Sequence, residues 1–207
     1  MQPKPVIIPV VIFDLGAVLI DWNPRYLYRK LFADEAALEA FFAEVGLAEW
    51  NAHQDAGRPF AEAVAWLVEQ YPHHAALIRA FWERWPEMMG GAIEGTVEIM
   101  RELRDSGQRL FALSNWSAET YPYAEARFEF LQWFEYVALS GRLKLVKPQP
   151  EIFAHLLERI GQPASECIFI DDAPNNVEAA RHCGMQAIHF TTPTALRAEL
   201  GRRALLC

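Results

Sequence analysis

Hydrophobic positions fall into two regimes along this chain. In five short stretches, residues 10–13, 109–113, 136–139, 167–170 and 186–190, apolar side chains run on with little alternation. Runs of that length, rich in β-branched and aromatic residues, predict strands buried on both faces, as in a parallel sheet. Pro9 suits the start of the first. Between residues 24 and 86 the spacing turns helical. Tyr26, Leu27, Leu31, Phe32, Leu38, Phe41, Phe42 and Val45 recur at helix-like gaps, as do Phe60, Val64, Leu67, Val68 and Tyr71. Asp34 reads as an N-cap, and Gly46, Gly57 and Pro72 read as stops. Four or five helices are predicted here, packed as a bundle inserted after the first strand. Trp22, Trp50, Trp66, Trp82 and Trp85 are expected to supply its packing. Trp22 is close enough in sequence to Asp14 to face any site built there.

After Gly95 strands and helices alternate. Helices are predicted over residues 96–103, 120–128, 150–160, 175–183 and 194–205, with Gly107, Gly161 and Gly184 as stops. Alternation of this kind implies right-handed crossovers and a parallel sheet. The expected fold class is α/β: a Rossmann-like parallel sheet with an inserted all-helical cap. Residues 1–21 and 90–207 would form the core, and residues 22–89 the cap.

Composition narrows the function classes. The chain has 207 residues, 52% hydrophobic and 22% charged, enough for a sizeable core without covalent staples. Its net charge is −8 and it has no dense Lys/Arg run, which argues against a nucleic-acid partner. Arg197, Arg202 and Arg203 read as the solvated face of a last helix. No apolar run is long enough to span a bilayer, and the start reads as no signal peptide, so a cytoplasmic location is expected. Cys167, Cys183 and Cys207 are odd in number and irregularly spaced, which predicts inert thiols and neither a disulfide framework nor a zinc site. Monomer and homodimer both fit.

The chemistry-bearing residues follow the strand-like runs, where open α/β sheets gather their sites. Asp14 follows the first run and is succeeded by Gly16. A carboxylate there can attack phosphorus, although Asp14 by itself reads equally well as a turn residue. Ser114 and Asn115 follow the second run and offer a hydroxyl and backbone N–H groups to an anion. Lys147 precedes Pro148 and can neutralise a phosphate oxygen and Asp14 together; Lys144 competes but sits in a loop-like stretch. Asp171 and Asp172 are adjacent at the end of an apolar run. Two such carboxylates beside Asp14 are costly without a cation, and a hard oxygen-seeking ion, Mg²⁺ first, fits them. One of Asn175 and Asn176 can hydrogen-bond the metal-binding carboxylates, and the other reads as a helix cap.

Taken in order and spacing, these segments resemble the phosphatase branch of the haloacid dehalogenase-like superfamily. The resemblance covers nearly the whole chain. Phe13-Asp14-Leu15-Gly16 with Val18, Trp50-Asn51-Ala52-His53 and Gly57-Arg58 look most similar to bacterial α-D-glucose-1-phosphate phosphatases. It implies an Mg²⁺-dependent hydrolase of a small phosphorylated metabolite, a sugar phosphate among the candidates. By the same resemblance Asp14 is the nucleophile, and Ser114 and Lys147 hold the phosphoryl oxygens. Asp172, Asp14 and the Gly16 carbonyl bind the metal, and Asp171 either reaches it through water or orients Lys147. Trp22, Arg25, His53 and Arg58 are the cap's candidate substrate contacts. Most phosphatases of the superfamily carry a proton-transferring Asp where this chain has Gly16. Asp21, His53 or water are the candidate replacements. A 2-haloacid dehalogenase, with Asp14 attacking carbon, and a non-catalytic phosphate-binding relative are the alternatives. The acidic pair Asp171-Asp172 favours the phosphatase over the first, and the intact charged set favours it over the second.

Overall fold

The computed structural model describes residues 9–206. Cys207 and the N-terminal segment on which the signal-peptide reading rests lie outside them. In chain order the strands are β1 (Val10–Phe13), β2 (Ile20–Trp22), β3 (Met89–Ala92), β4 (Arg109–Ser114), β5 (Tyr136–Leu139), β6 (Cys167–Asp171) and β7 (Gln186–His189). The helices are α1 (Arg25–Tyr28), α2 (Glu35–Val45), α3 (Leu47–Asp55), α4 (Phe60–Gln70), α5 (Ala75–Glu83), α6 (Glu94–Asp105), α7 (Tyr121–Arg127), α8 (Ser140–Leu143), α9 (Pro150–Ile160), α10 (Pro174–His182) and α11 (Pro193–Arg202).

Five strands form one parallel sheet in the order β5-β4-β1-β6-β7. The continuous apolar runs are explained by burial on both faces. Val11 and Phe13 of β1, Leu110 and Ala112 of β4, and Ile168 and Ile170 of β6 join α6 and α11 on one face. Val10, Ile12, Phe111, Leu113 and Phe169 join α9 and α10 on the other. The first of these clusters continues without a break into the cap, through Leu38, Phe41, Trp50, Phe60 and Phe81. This shared apolar packing ties the helical insertion to the sheet.

Two features of the insertion differ from expectation. Its two junctions pair as an antiparallel ribbon, with Ile20 opposite Ala92 and Asp21 opposite Gly91. Gly90 is needed in this ribbon, because a Cβ there would lie within 2.5 Å of the Asp21 carboxylate. Both strands are too short, and β3 too glycine-rich, to announce themselves in the sequence. Trp66, expected in the packing, is instead 52% exposed, with Arg58 over its ring.

The caps follow local rules. Gly46 ends α2 in the left-handed region at φ 60°, where a glycine carries no Cβ penalty. The Asp34 carboxylate accepts from the Ala37 N–H at 2.8 Å at the start of α2. Asp34→Ala is therefore expected to lower stability by about 1 kcal/mol, as N-cap losses usually do, in a urea titration. No helix among the described residues is long and apolar enough to cross a membrane.

Candidate active site

Parallel order places the carboxyl ends of β4, β1 and β6 side by side, and the candidate residues stand there. Asp14 follows β1, Ser114 closes β4 and Asp171 closes β6. The backbone keeps Asp14 in line, since its N–H donates to the Ile170 carbonyl at 2.8 Å. Its Oδ1 accepts from the Leu15 N–H at 2.7 Å.

Lys147 enters from the loop before α9 and is buried. Its Nζ lies 2.9 Å from Asp14 Oδ1 and 2.6 Å from Asp171 Oδ2. Asn115 fixes that loop: its amide donates to the Lys147 carbonyl at 3.0 Å and accepts from the Lys147 N–H at 2.9 Å. The Lys147-Pro148 bond is cis. Lys144 is exposed on the loop side, as its neighbours suggested. Asp171 is fully buried and accepts from the Ala173 N–H at 2.8 Å and from Asn176 Nδ2 at 3.0 Å. Asn175 is exposed. It does not cap α10, whose N-cap position is Ala173 and whose first residue is Pro174. The proline starts the helix one residue ahead of the expected asparagine cap.

The electrostatics are short of positive charge. Burial raises the Asp14 pKa, Lys147 pulls it down and Asp171 pushes it up again, leaving it at about 6. Asp172 is also held above the ordinary carboxylate range, first by burial and then by Asp171. Burial works against the charge on Lys147, but Asp14 and Asp171 overcome it and raise its pKa. One ammonium thus serves three carboxylates whose ligand oxygens lie within 4.8 Å of one another. An all-oxygen set with surplus negative charge fits a hard divalent cation. Glu44, His73 and His74, in the cap, form a second group with metal-ligand spacing, largely exposed to solvent.

A cavity of ≈ 120 Å³ is lined by Gly16 and Asn115, sequence neighbours of Asp14 and Ser114, together with Trp22, Asn51, Asp55, Trp85 and Trp116. Trp22 shares this cavity wall with Gly16. A neighbouring cavity of ≈ 500 Å³ shares Trp22 and Asn51 and adds Arg25, which is held by Glu39 at 2.6 Å. His53 and Arg58 are not brought to either. They line a separate groove with Trp50 and Trp66. The reason is helical geometry: Asn51 and Asp55 are four residues apart on one face of α3, and His53 between them points elsewhere. Asp21 accepts from the Tyr26 hydroxyl at 2.5 Å and does not line the cavity either.

A family model described as haloacid dehalogenase-like hydrolase matches residues 8–184. The chain belongs to the haloacid dehalogenase-like hydrolases. It is 26% identical over 190 residues to the sesquiterpene phosphatase astK of Aspergillus oryzae, covering 91% of this chain and 93% of that one. It is 25% identical over 188 residues to the fructose-1-phosphate phosphatase YqaB of Escherichia coli, covering 86% and 94%. Among solved structures, the magnesium complex of a HAD family enzyme from Bacteroides thetaiotaomicron aligns with a TM-score of 0.68 at 22% identity, covering 90% and 94%. The parallel sheet and the helical insertion match the fold class expected from the sequence. The sequence reading missed Asp55, Trp85 and Trp116 in the cavity wall. The first was legible only as the partner of Asn51 on one helix face. The two tryptophans carried no signal that separates a wall from a core.

Proposed function

We propose that this hydrolase cleaves phosphate monoesters of small metabolites through an aspartyl-phosphate on Asp14, with Mg²⁺ as its metal. The observation that supports this best is the Lys147 ammonium bridging Asp14 and Asp171 at the carboxyl edge of the sheet. A free Asp14 oxygen attacks phosphorus, and the bond to the ester oxygen breaks. The Ser114 hydroxyl and Lys147 hold the phosphoryl oxygens as charge builds on them. Asp171 fixes the ammonium, Asn176 fixes Asp171, and Asn115 fixes the Lys147 backbone. Water then attacks the aspartyl-phosphate and releases inorganic phosphate. Asp14, Asp172 and the Gly16 carbonyl would hold a divalent ion, which would supply the positive charge that the clustered carboxylates lack. In this reading residues 22–89 act as the cap over the site, joined to the core through the ribbon.

The two phosphatases named above release very different alcohols, so likeness does not choose the substrate. The cavity does more. Three indoles, of Trp22, Trp85 and Trp116, offer flat apolar faces to the leaving group. The Asn51 side chain lines the same wall and offers a polar group to a substrate oxygen or hydroxyl. A ligand with a flat or apolar face and at least one oxygen fits, which includes a sugar ring stacked on an indole.

Metal removal is the direct test. Phosphate release should fall to background after dialysis against EDTA and return with Mg²⁺. Chloride release from 2-haloacids, unaffected by EDTA, would favour the dehalogenase reading instead.

A further inference from the structure

We infer that Asp55, reaching the site from the end of α3, is the proton-transfer residue that stands in for a side chain at Gly16. The inference rests on the phosphomonoesterase reading above and goes beyond it. Gly16 leaves open space: a Cβ built on it meets nothing within 4 Å. Gly16 and Asp55 line the same ≈ 120 Å³ cavity, and Asn115, next to the phosphate-holding Ser114, lines it too. Among the described residues Asp55 is the cavity's carboxylate, and its other walls carry indoles and amides. The alternatives Asp21 and His53 lie outside it.

The surroundings of Asp55 suit the role. Its Oδ1 accepts from the Ser117 N–H at 3.0 Å, and Asn51 Nδ2 lies 2.9 Å from Oδ2. These contacts anchor one oxygen to the loop after β4 and leave the other beside an amide that can turn to present either its N–H or its carbonyl. The main chain is held as well, because the Ser140 hydroxyl donates to the Asp55 carbonyl. The charged groups of the packed elements are engaged elsewhere. Arg58 donates to Gln54, Glu119 accepts from the Phe60 N–H, Arg142 faces Glu125, and Glu49 and His53 line the separate groove. Lys144 packs its stem near Gly57. Among the described residues no ion pair offsets burial, so the Asp55 carboxyl is pushed up to about 7 and the Ser117 N–H only partly opposes this. A carboxyl titrating near neutrality can give and take a proton in one cycle.

The cycle balances. As Asp14 forms its bond to phosphorus, the P–O ester bond breaks and its electron pair stays on the leaving oxygen. That oxygen takes the Asp55 proton and departs as the alcohol. The Asp55 carboxylate then removes a proton from the water that attacks the aspartyl-phosphate. The bond between phosphorus and the Asp14 oxygen breaks, its electron pair returns to the Asp14 carboxylate, inorganic phosphate leaves, and Asp55 is again protonated.

The test compares wild type, Asp55→Asn, Asp14→Asn and Gly16→Asp/Asp55→Asn on p-nitrophenyl phosphate and on a phosphate ester of a primary alcohol. Asn at 55 keeps an oxygen for the Ser117 N–H, and a thermal melt checks the fold. With the alkyl ester, kcat/KM of Asp55→Asn should drop roughly 10²–10⁴-fold. With the aryl ester, whose leaving group needs no proton, the first turnover should keep its wild-type rate and later turnovers should slow, giving a burst. The alkaline limb of kcat/KM against pH should vanish in Asp55→Asn, and Gly16→Asp should restore alkyl-ester turnover. Equal losses on both esters, with no burst and an unchanged pH profile, would make Asp55 a structural anchor and overturn the inference. Absence of phosphate release from either ester in the wild type would overturn the phosphatase reading, and this inference with it. Loss in Asp14→Asn alone would leave that reading standing while overturning the role of Asp55.

Discussion

Asp14→Asn is expected to abolish phosphate release while leaving the protein at least as stable as the wild type. The amide is nearly isosteric but cannot attack phosphorus. Stability is expected to move the other way because the folded protein holds the Asp14 carboxyl near 6, above its ordinary value of 3.8. A carboxyl with a raised folded pKa favours folding in its protonated form. Its contribution is fully present below the unfolded value and is lost as pH rises through the folded one. In the metal-free wild type, therefore, stability should decline between about pH 4 and pH 7 through this group. Asp14→Asn should lack that decline. Urea titrations at several pH values in EDTA measure it. Lower stability of the variant at neutral pH would contradict the charge imbalance described for the site.

Lys147→Met carries the largest expected cost to the fold. The ammonium is 1% exposed and touches two carboxylates. Removing one partner from a buried ionic cluster leaves uncompensated charge, at a typical cost of about 3–5 kcal/mol. Activity should vanish as well, since the same group holds a phosphoryl oxygen. The damage should lessen as pH falls, because the orphaned carboxyls then take up protons. Adding Asp171→Asn should recover much of the stability without recovering activity. Denaturant midpoints for the single and double variants separate these effects.

Much of this site was legible because its residues end strands that announce themselves. Asp14, Ser114 and Asp171 each follow an apolar run, and a parallel sheet brings such ends together whatever the helices do. Lys147 was legible only through Pro148 and the order of the other segments. The cap was harder. Helical spacing marks an amphipathic face but does not say whether that face meets core, solvent or cavity. Trp66 and Trp85 have the same residue type in the same region, yet one is exposed and the other 3% exposed against the cavity. His53 drew attention by its chemistry, while Asp55, two residues on, faces the cavity because of where α3 docks. The ribbon of β2 and β3 was silent because its few residues lack alternation, and its partners are distant in sequence.

The proposed mechanism passes through a covalent phosphoryl group at Asp14. The wild type, mixed briefly with p-nitrophenyl phosphate and Mg²⁺ and quenched in acid, should yield a peptide containing Asp14 that carries one added phosphoryl group by mass spectrometry. The Asp14→Asn protein should yield none. Rapid phosphate release with the Asp14 peptide unmodified at every quench time, and undiminished in Asp14→Asn, would contradict it.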